Sequence, residues 1–326
     1  MQITKKKNRS FAIELSHKTI NTPFFFPAIS TIKTNFTVSE YLDLVLRVGY
    51  PGFLISSYDI YREKEQQKLI EKINQATKGN VITLMDSGNY EAYWNDDADW
   101  DLKKFESVLK KINTDLCFSF DVAWKKDKNP SDHVKEIISS TARTVGLQAS
   151  GDTIPIIHST PENFPKTVKG VVSGIYPQVI GVPERELGAS LFERATTLKR
   201  IRDELNGLNQ DIPIHILGTG NPTSILVYSL CGADLYDGLE WCNTVANPEN
   251  GHLHHFVQKD LFKCDCNACK ADMPYHLQTM AHNLLFYENF LKEIRESLLS
   301  ADISRLLDRY LPKHVHKRLK EISGLK

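Results

Sequence analysis

Val81-Ile82-Thr83-Leu84-Met85-Asp86-Ser87-Gly88 is an apolar run that stops abruptly at an acid, a hydroxyl and a glycine. An alternating pattern would leave one face of a strand wet. A continuous one suits a strand covered on both faces, as in a parallel sheet. Comparable runs stand at 24–26, 52–56, 116–120, 154–157, 178–182, 214–217 and 233–236, eight in all with 81–85. Between them lie segments that read as helices. Residues 63–78 and 131–148 are polar and amphipathic, 186–206 is long and charged, and 224–231 is short and apolar. Pro130, followed by the capping residues Ser131 and Asp132, gives the second of these a defined start. Alternating strands and helices predict a parallel α/β fold, and eight strands favour a closed (β/α)8 TIM barrel over an open sheet.

In such a barrel, chemistry gathers where the strands end. The ends here read Asp86-Ser87-Gly88, Asp121, His158, Gly181-Val182-Pro183, Gly218-Thr219-Gly220 and Asp237-Gly238. One aspartate after a strand is more often a helix cap, but three at comparable ends point to a site.

The 326 residues suffice for one such barrel. We divide the chain into a barrel core, 1–240, and a subdomain, 241–326, that breaks the strand–helix pattern and ends in helices over about 276–300 and 301–322. Formal net charge is zero, which argues against a broad polyanion-binding surface. Local basic patches remain at Lys5 to Lys7, read as a frayed end, and at 313–320, with His314, His316, Lys317 and Arg318. No apolar run reaches the roughly 20 residues of a membrane span, and the N-terminus has no signal-peptide core, so we expect a cytoplasmic protein without a membrane partner.

Of six cysteines, Cys264, Cys266 and Cys269 crowd into six positions, which suggests metal rather than disulfides. Cys117, Cys231 and Cys242 sit in apolar segments and read as small buried hydrophobes. Three thiolates and one imidazole, from His276 or His282, would close a tetrahedral shell around a structural Zn2+.

Several of these stretches, in order over about 22–299, resemble the guanine transglycosylases: the tRNA-guanine transglycosylases, including the queuine tRNA-ribosyltransferases, and their DNA-modifying relatives. Asp86-Ser87-Gly88-Asn89-Tyr90-Glu91 is similar to the family's Asp-Ser-Gly-Gly-aromatic-Gln. Phe120-Asp121 falls where the family carries its base-reading aspartate. His215-Ile216-Leu217-Gly218-Thr219-Gly220-Asn221-Pro222 resembles its Gly-x-Gly-x-Pro turn, and Gly232-Ala233-Asp234-Leu235-Tyr236-Asp237 the segment of its nucleophilic aspartate. His282-Asn283-Leu284 after Cys-x-Cys-x2-Cys makes His282 the implied fourth ligand, beside Cys264, Cys266 and Cys269.

The resemblance implies a pentosyltransferase that replaces guanine in a nucleic acid with a free 7-deazaguanine base, such as preQ0. Exchange at one sugar face is a double displacement, the logic of retaining glycosidases. Asp237 is then the nucleophile and Asp86 the general acid/base. Asp121 accepts hydrogen bonds from N1–H and the exocyclic amine, and His158 contacts the base carbonyl. Tyr90 and Leu217 sandwich the base, while Gly181 and Gly218 let backbone approach it. Departures from the tRNA enzymes are Asn89, Glu91, His158 in place of glutamine, the loop 182–188, and Gly238-Leu239-Glu240-Trp241-Cys242 where they run toward Pro-Thr-Arg. On these grounds we expect DNA as the nucleic acid, with tRNA as the alternative and a helper protein that opens the duplex. A non-catalytic binding subunit is a weaker reading, since Asp86 and Asp237 are both present. An unrelated zinc-dependent hydrolase is weaker too, because it would need an open metal position.

Overall fold

Eight parallel strands make the central sheet of the computed structural model, which describes residues 1–5, 11–32, 34–121, 129–147, 151–208 and 211–324. They are β1 (Phe24–Ile29), β2 (Gly52–Ser56), β3 (Ile82–Asp86), β4 (Leu116–Phe118), β5 (Asp152–Ile154), β6 (Ile180–Pro183), β7 (Ile214–Leu217) and β8 (Leu235–Gly238). Each pairs with its sequence neighbour from β1 to β5 and from β6 to β8, and β8 pairs with β1. The remaining seam is joined by a parallel bridge between Ile156 and Gly181, with Ile157 N–H donating to Gly181 O at 2.8 Å and Gly181 N–H to Pro155 O at 2.9 Å. Pro155 has no N–H to give, so the expected strand at 154–157 shortens to Asp152–Ile154 plus this bridge.

The period-2 geometry of strands splits the core in two. Phe24, Phe26, Ala28, Leu54, Ile82, Leu84, Leu116, Phe118 and Ile154 fill the barrel interior. Phe25, Ile29, Phe53, Ile55, Met85 and Cys117 point outward under the helices. Every strand is therefore apolar on both faces, which is why its sequence does not alternate. Ile13 and Ile20 join the interior cluster from a three-stranded antiparallel sheet, Gln2–Lys5, Phe11–Glu14 and Thr19–Asn21, that covers the N-terminal end of the barrel. That sheet was not expected from the sequence. Lys6 and Lys7 of the N-terminal basic patch, and Gln148 at the end of the expected helix, lie outside the described residues.

Several helices are more divided than their patterns predicted. The expected helix 63–78 starts later, as Gln66–Lys78, and a separate short helix, Ser57–Arg62, precedes it. The stretch from 186 opens as a short turn, Glu184–Glu186, and the helix proper is Leu191–Gly207, started by a capping box of Ser190 and Glu193. The last stretch breaks at Pro312 into Ser304–Tyr310 and Lys313–Ser323, because proline cannot continue a helix. Tyr275–Ser300 is the longest helix. Among the described residues no helix is long and apolar enough to cross a membrane.

Candidate active site and metal centre

The C-terminal ends of the strands surround a cavity of about 920 Å³. Asp86 ends β3 and Asp237 is the last residue but one of β8, and both line it, as do Asp121, His158, Tyr90, Leu217 and Gly218. Gly181 does not: it lies in the barrel wall, where an added Cβ would come within 2.9 Å of Phe118 and 3.1 Å of Leu217. Its small size leaves room for the side chains of Phe118 and Leu217.

Asp237 is held on two sides. His215 Nε2 lies 2.8 Å from one carboxylate oxygen, and the N–H of Gly218 donates to the other at 3.3 Å. His215 is fully buried between Phe26, at 5.9 Å between ring centroids, and Phe118, at 5.0 Å, so its ring orientation is set by the barrel interior. Asp86 accepts the N–H of Gly88 at 3.1 Å. Burial, reinforced by the nearby charges of Asp237 and Asp121, pushes its pKa up to about 7.

His158 is engaged through both ring nitrogens, with Nε2 2.5 Å from Asp121 and Nδ1 2.7 Å from Glu186. Burial alone would lower its pKa, but the two carboxylates outweigh it and raise the value to about 10. The ring is thus an imidazolium that donates to both acids. It positions Asp121, and neither nitrogen is left for the base carbonyl expected of it.

Three acids that had no assigned role also belong to this site. Glu91 is buried under the floor, where the hydroxyls of Ser30 and Ser56 each donate to it at 2.7 Å. Burial first, then Asp86 and Asp59, push its pKa up to about 8. Glu240 lines the cavity, and burial with the charge of Asp237 pushes it up to about 7. Its carboxylate occupies the room left by two glycines, since a Cβ on Gly220 or on Gly238 would collide with Glu240 Oε2. Glu186 is the third, as the partner of His158. A charged residue within the otherwise apolar Leu239-Glu240-Trp241-Cys242 was the one sequence signal for Glu240. Glu184 pairs with Arg194 at 2.9 Å and accepts from Tyr228, rather than pairing with its neighbour Arg185.

Cys264, Cys266, Cys269 and His282 form a second constellation, with all four ligand atoms within 4.8 Å of one another. His282 Nδ1 stands 3.6 Å from Cys266 Sγ and 3.5 Å from Cys269 Sγ. A tetrahedron with metal bonds of about 2.1 Å to nitrogen and about 2.3 Å to sulfur has edges of roughly 3.6 Å, so the group is able to hold a metal ion. His282 Nε2 lies 2.8 Å from Ala246 O, which aims the other nitrogen at the thiols. His276 packs instead among Phe36, Phe256 and Tyr275. The helix that carries His282 also supports the rim of the cavity. Asn283 donates to Trp241 O and Thr244 O, both at 2.7 Å, and Tyr287 donates to Gly220 O at 2.5 Å.

No protein-family model matches the chain. Curated relatives that do match include the tRNA-guanine(15) transglycosylase of Thermococcus onnurineus, 22% identical over 342 residues that cover 95% of this chain and 57% of that protein. The enzyme of the same name from Sulfolobus acidocaldarius is 21% identical, covering 88% of this chain and 60% of its own length. That from Methanococcus vannielii is 22% identical, covering 93% and 50%. The chain thus spans between half and two thirds of the length of these relatives. Similarity to these tRNA-guanine transglycosylases thus runs through most of the chain, over the barrel with acids on its rim and the Cys3His group of the helical C-terminal region.

Proposed function

We propose that this protein exchanges a guanine in a nucleic acid for a 7-deazaguanine base by double displacement. Asp237 attacks C1′ as the bond from C1′ to N9 of guanine breaks, and Asp86 gives its proton to the departing base. The incoming base then attacks C1′ through its own N9, Asp237 leaves, and the proton lost by that base returns to Asp86. The observation that carries the reading is the division of labour between these two acids across one cavity. Asp237 is oriented by His215 and Gly218, whereas Asp86 is half-buried with its pKa pushed up to about 7, suited to giving and taking a proton near neutrality. Asp121, fixed by His158, accepts from the guanine edge that both bases share, and Tyr90 and Leu217 lie at the wall where a base taken out of its stack would be held.

For the nucleic acid, the relatives favour tRNA over the DNA expected from the sequence, because they are tRNA-guanine(15) transglycosylases. The DNA reading retains one supporting feature, the Gly238–Cys242 stretch with its partly buried Glu240. For the metal, a closed Cys3His set fits zinc in a structural role, with no position open to substrate.

Purified protein with radiolabelled preQ0 or guanine, offered bulk tRNA or plasmid DNA, tests this. We expect label in tRNA, and none with Asp237→Ala. Label in DNA alone would keep the chemistry and restore the DNA substrate. Incorporation that survives Asp237→Ala would overturn the mechanism.

A further inference from the structure

Eight large apolar side chains stand well exposed among the described residues, and three of them fall on one six-residue helix, Asn89–Trp94. Tyr90 is 41% exposed, Tyr93 75% and Trp94 49%. The helix begins three residues after Asp86, so the cluster sits at the lip of the cavity, and Tyr90 and Tyr93 line it. The rings brace one another edge to face, Tyr93 against Trp94 at 5.6 Å and 79°, Tyr90 against Trp94 at 6.3 Å and 67°. Aromatic surface left in water, contiguous with a cavity, marks contact with a ligand.

The next turn limits what that ligand is. Asp96, Asp97, Asp99 and Asp101 follow the helix closely, and among the described residues only Asp97 has a cationic partner, Arg62. Phosphates are repelled there. A neutral planar ring is not, and every nucleobase has a π-face to stack. We propose that Tyr93 and Trp94 form a stacking platform for an unpaired nucleobase next to the exchanged guanine. The proposal rests on the base-exchange reading and adds to it that the substrate strand is unpaired at the target, since a base inside a duplex has no face to offer.

Binding separates the two. A labelled single-stranded RNA oligonucleotide with one guanosine is compared with the same strand carrying abasic sites on both sides of it. We expect the native protein to lose affinity on the order of tenfold when the flanking bases are removed. Tyr93→Ala/Trp94→Ala, checked for native folding by circular dichroism and thermal melting, should bind the intact strand weaker by a similar factor and be indifferent to the abasic sites. The DNA version should behave alike, because stacking does not involve the 2′-hydroxyl. Equal losses from the abasic sites in native and variant protein would overturn the platform. So would unchanged affinity of the variant, which would leave the patch to a protein partner. Because binding and not turnover is read, a protein that shows this pattern but exchanges no base would defeat the functional reading alone.

Discussion

At Asp86 the sign of the pH dependence follows from the part proposed for it in the first displacement. The departing guanine needs the protonated acid, and burial places its pKa at about 7. We expect kcat/KM for the nucleic acid to fall about tenfold per pH unit above that value. A pH profile that stayed flat to about pH 9 would remove Asp86 from the role. Glu91 stands where related enzymes carry glutamine, and its pKa of about 8 makes it a neutral acid at pH 7. Glu91→Gln should therefore fold and function near the native level, since an amide can also satisfy the hydroxyls of Ser30 and Ser56. Glu91→Ala strands both hydroxyls, at a cost of about 1–3 kcal/mol each in a urea melt. Similar losses for the two variants would mean that shape and not hydrogen bonding matters there.

The helix Tyr275–Ser300 links the Cys3His group to the candidate active site. His282 faces the thiols, Asn283 holds the segment after β8 through Trp241 and Thr244, and Tyr287 holds Gly220, which borders Glu240. A structural metal contributes folding energy directly. Cys266→Ser should lower the bound metal measured by elemental analysis, reduce the melting temperature, and raise amide exchange at 241–246. A variant that lost its metal with no change in that exchange would show the two regions to be uncoupled. The break at Pro312, by contrast, was legible in the sequence as a proline, yet its helix was read straight through because the charged pattern on either side is continuous.

Across the whole molecule, four groups make stability fall as pH rises, Glu91 and His158 buried and Asp86 and Glu240 partly so. Asp86, Glu240 and Glu91 keep their protons up to about 7, 7 and 8, whereas the unfolded chain releases them near 4. Stability present below that range is lost as pH passes through the folded values. His158 adds to the same slope, because its raised pKa of about 10 contributes stability that is complete below about 6.5 and fades toward 10. We expect calorimetric melting temperatures to decline between about pH 5 and 9, with Glu240→Gln and Glu91→Gln flattening the lower part of the decline. A stability that rose over that range would contradict the burial of these acids.

The continuous apolar runs, the acids at their ends and the spacing of Cys264, Cys266 and Cys269 were decided locally, by strand period and ligand chemistry, and so could be read from the sequence alone. It determined the barrel, the rim carrying Asp86, Asp121 and Asp237, and the metal group. Partnership was decided only by the tertiary structure. Whether His158 faces a base or two carboxylates, whether Glu184 pairs with Arg185 or Arg194, and how Glu240 fits between Gly220 and Gly238 all depend on residues brought together from distant strands. Burial, which sets the protonation of those acids, exists only once the barrel has closed.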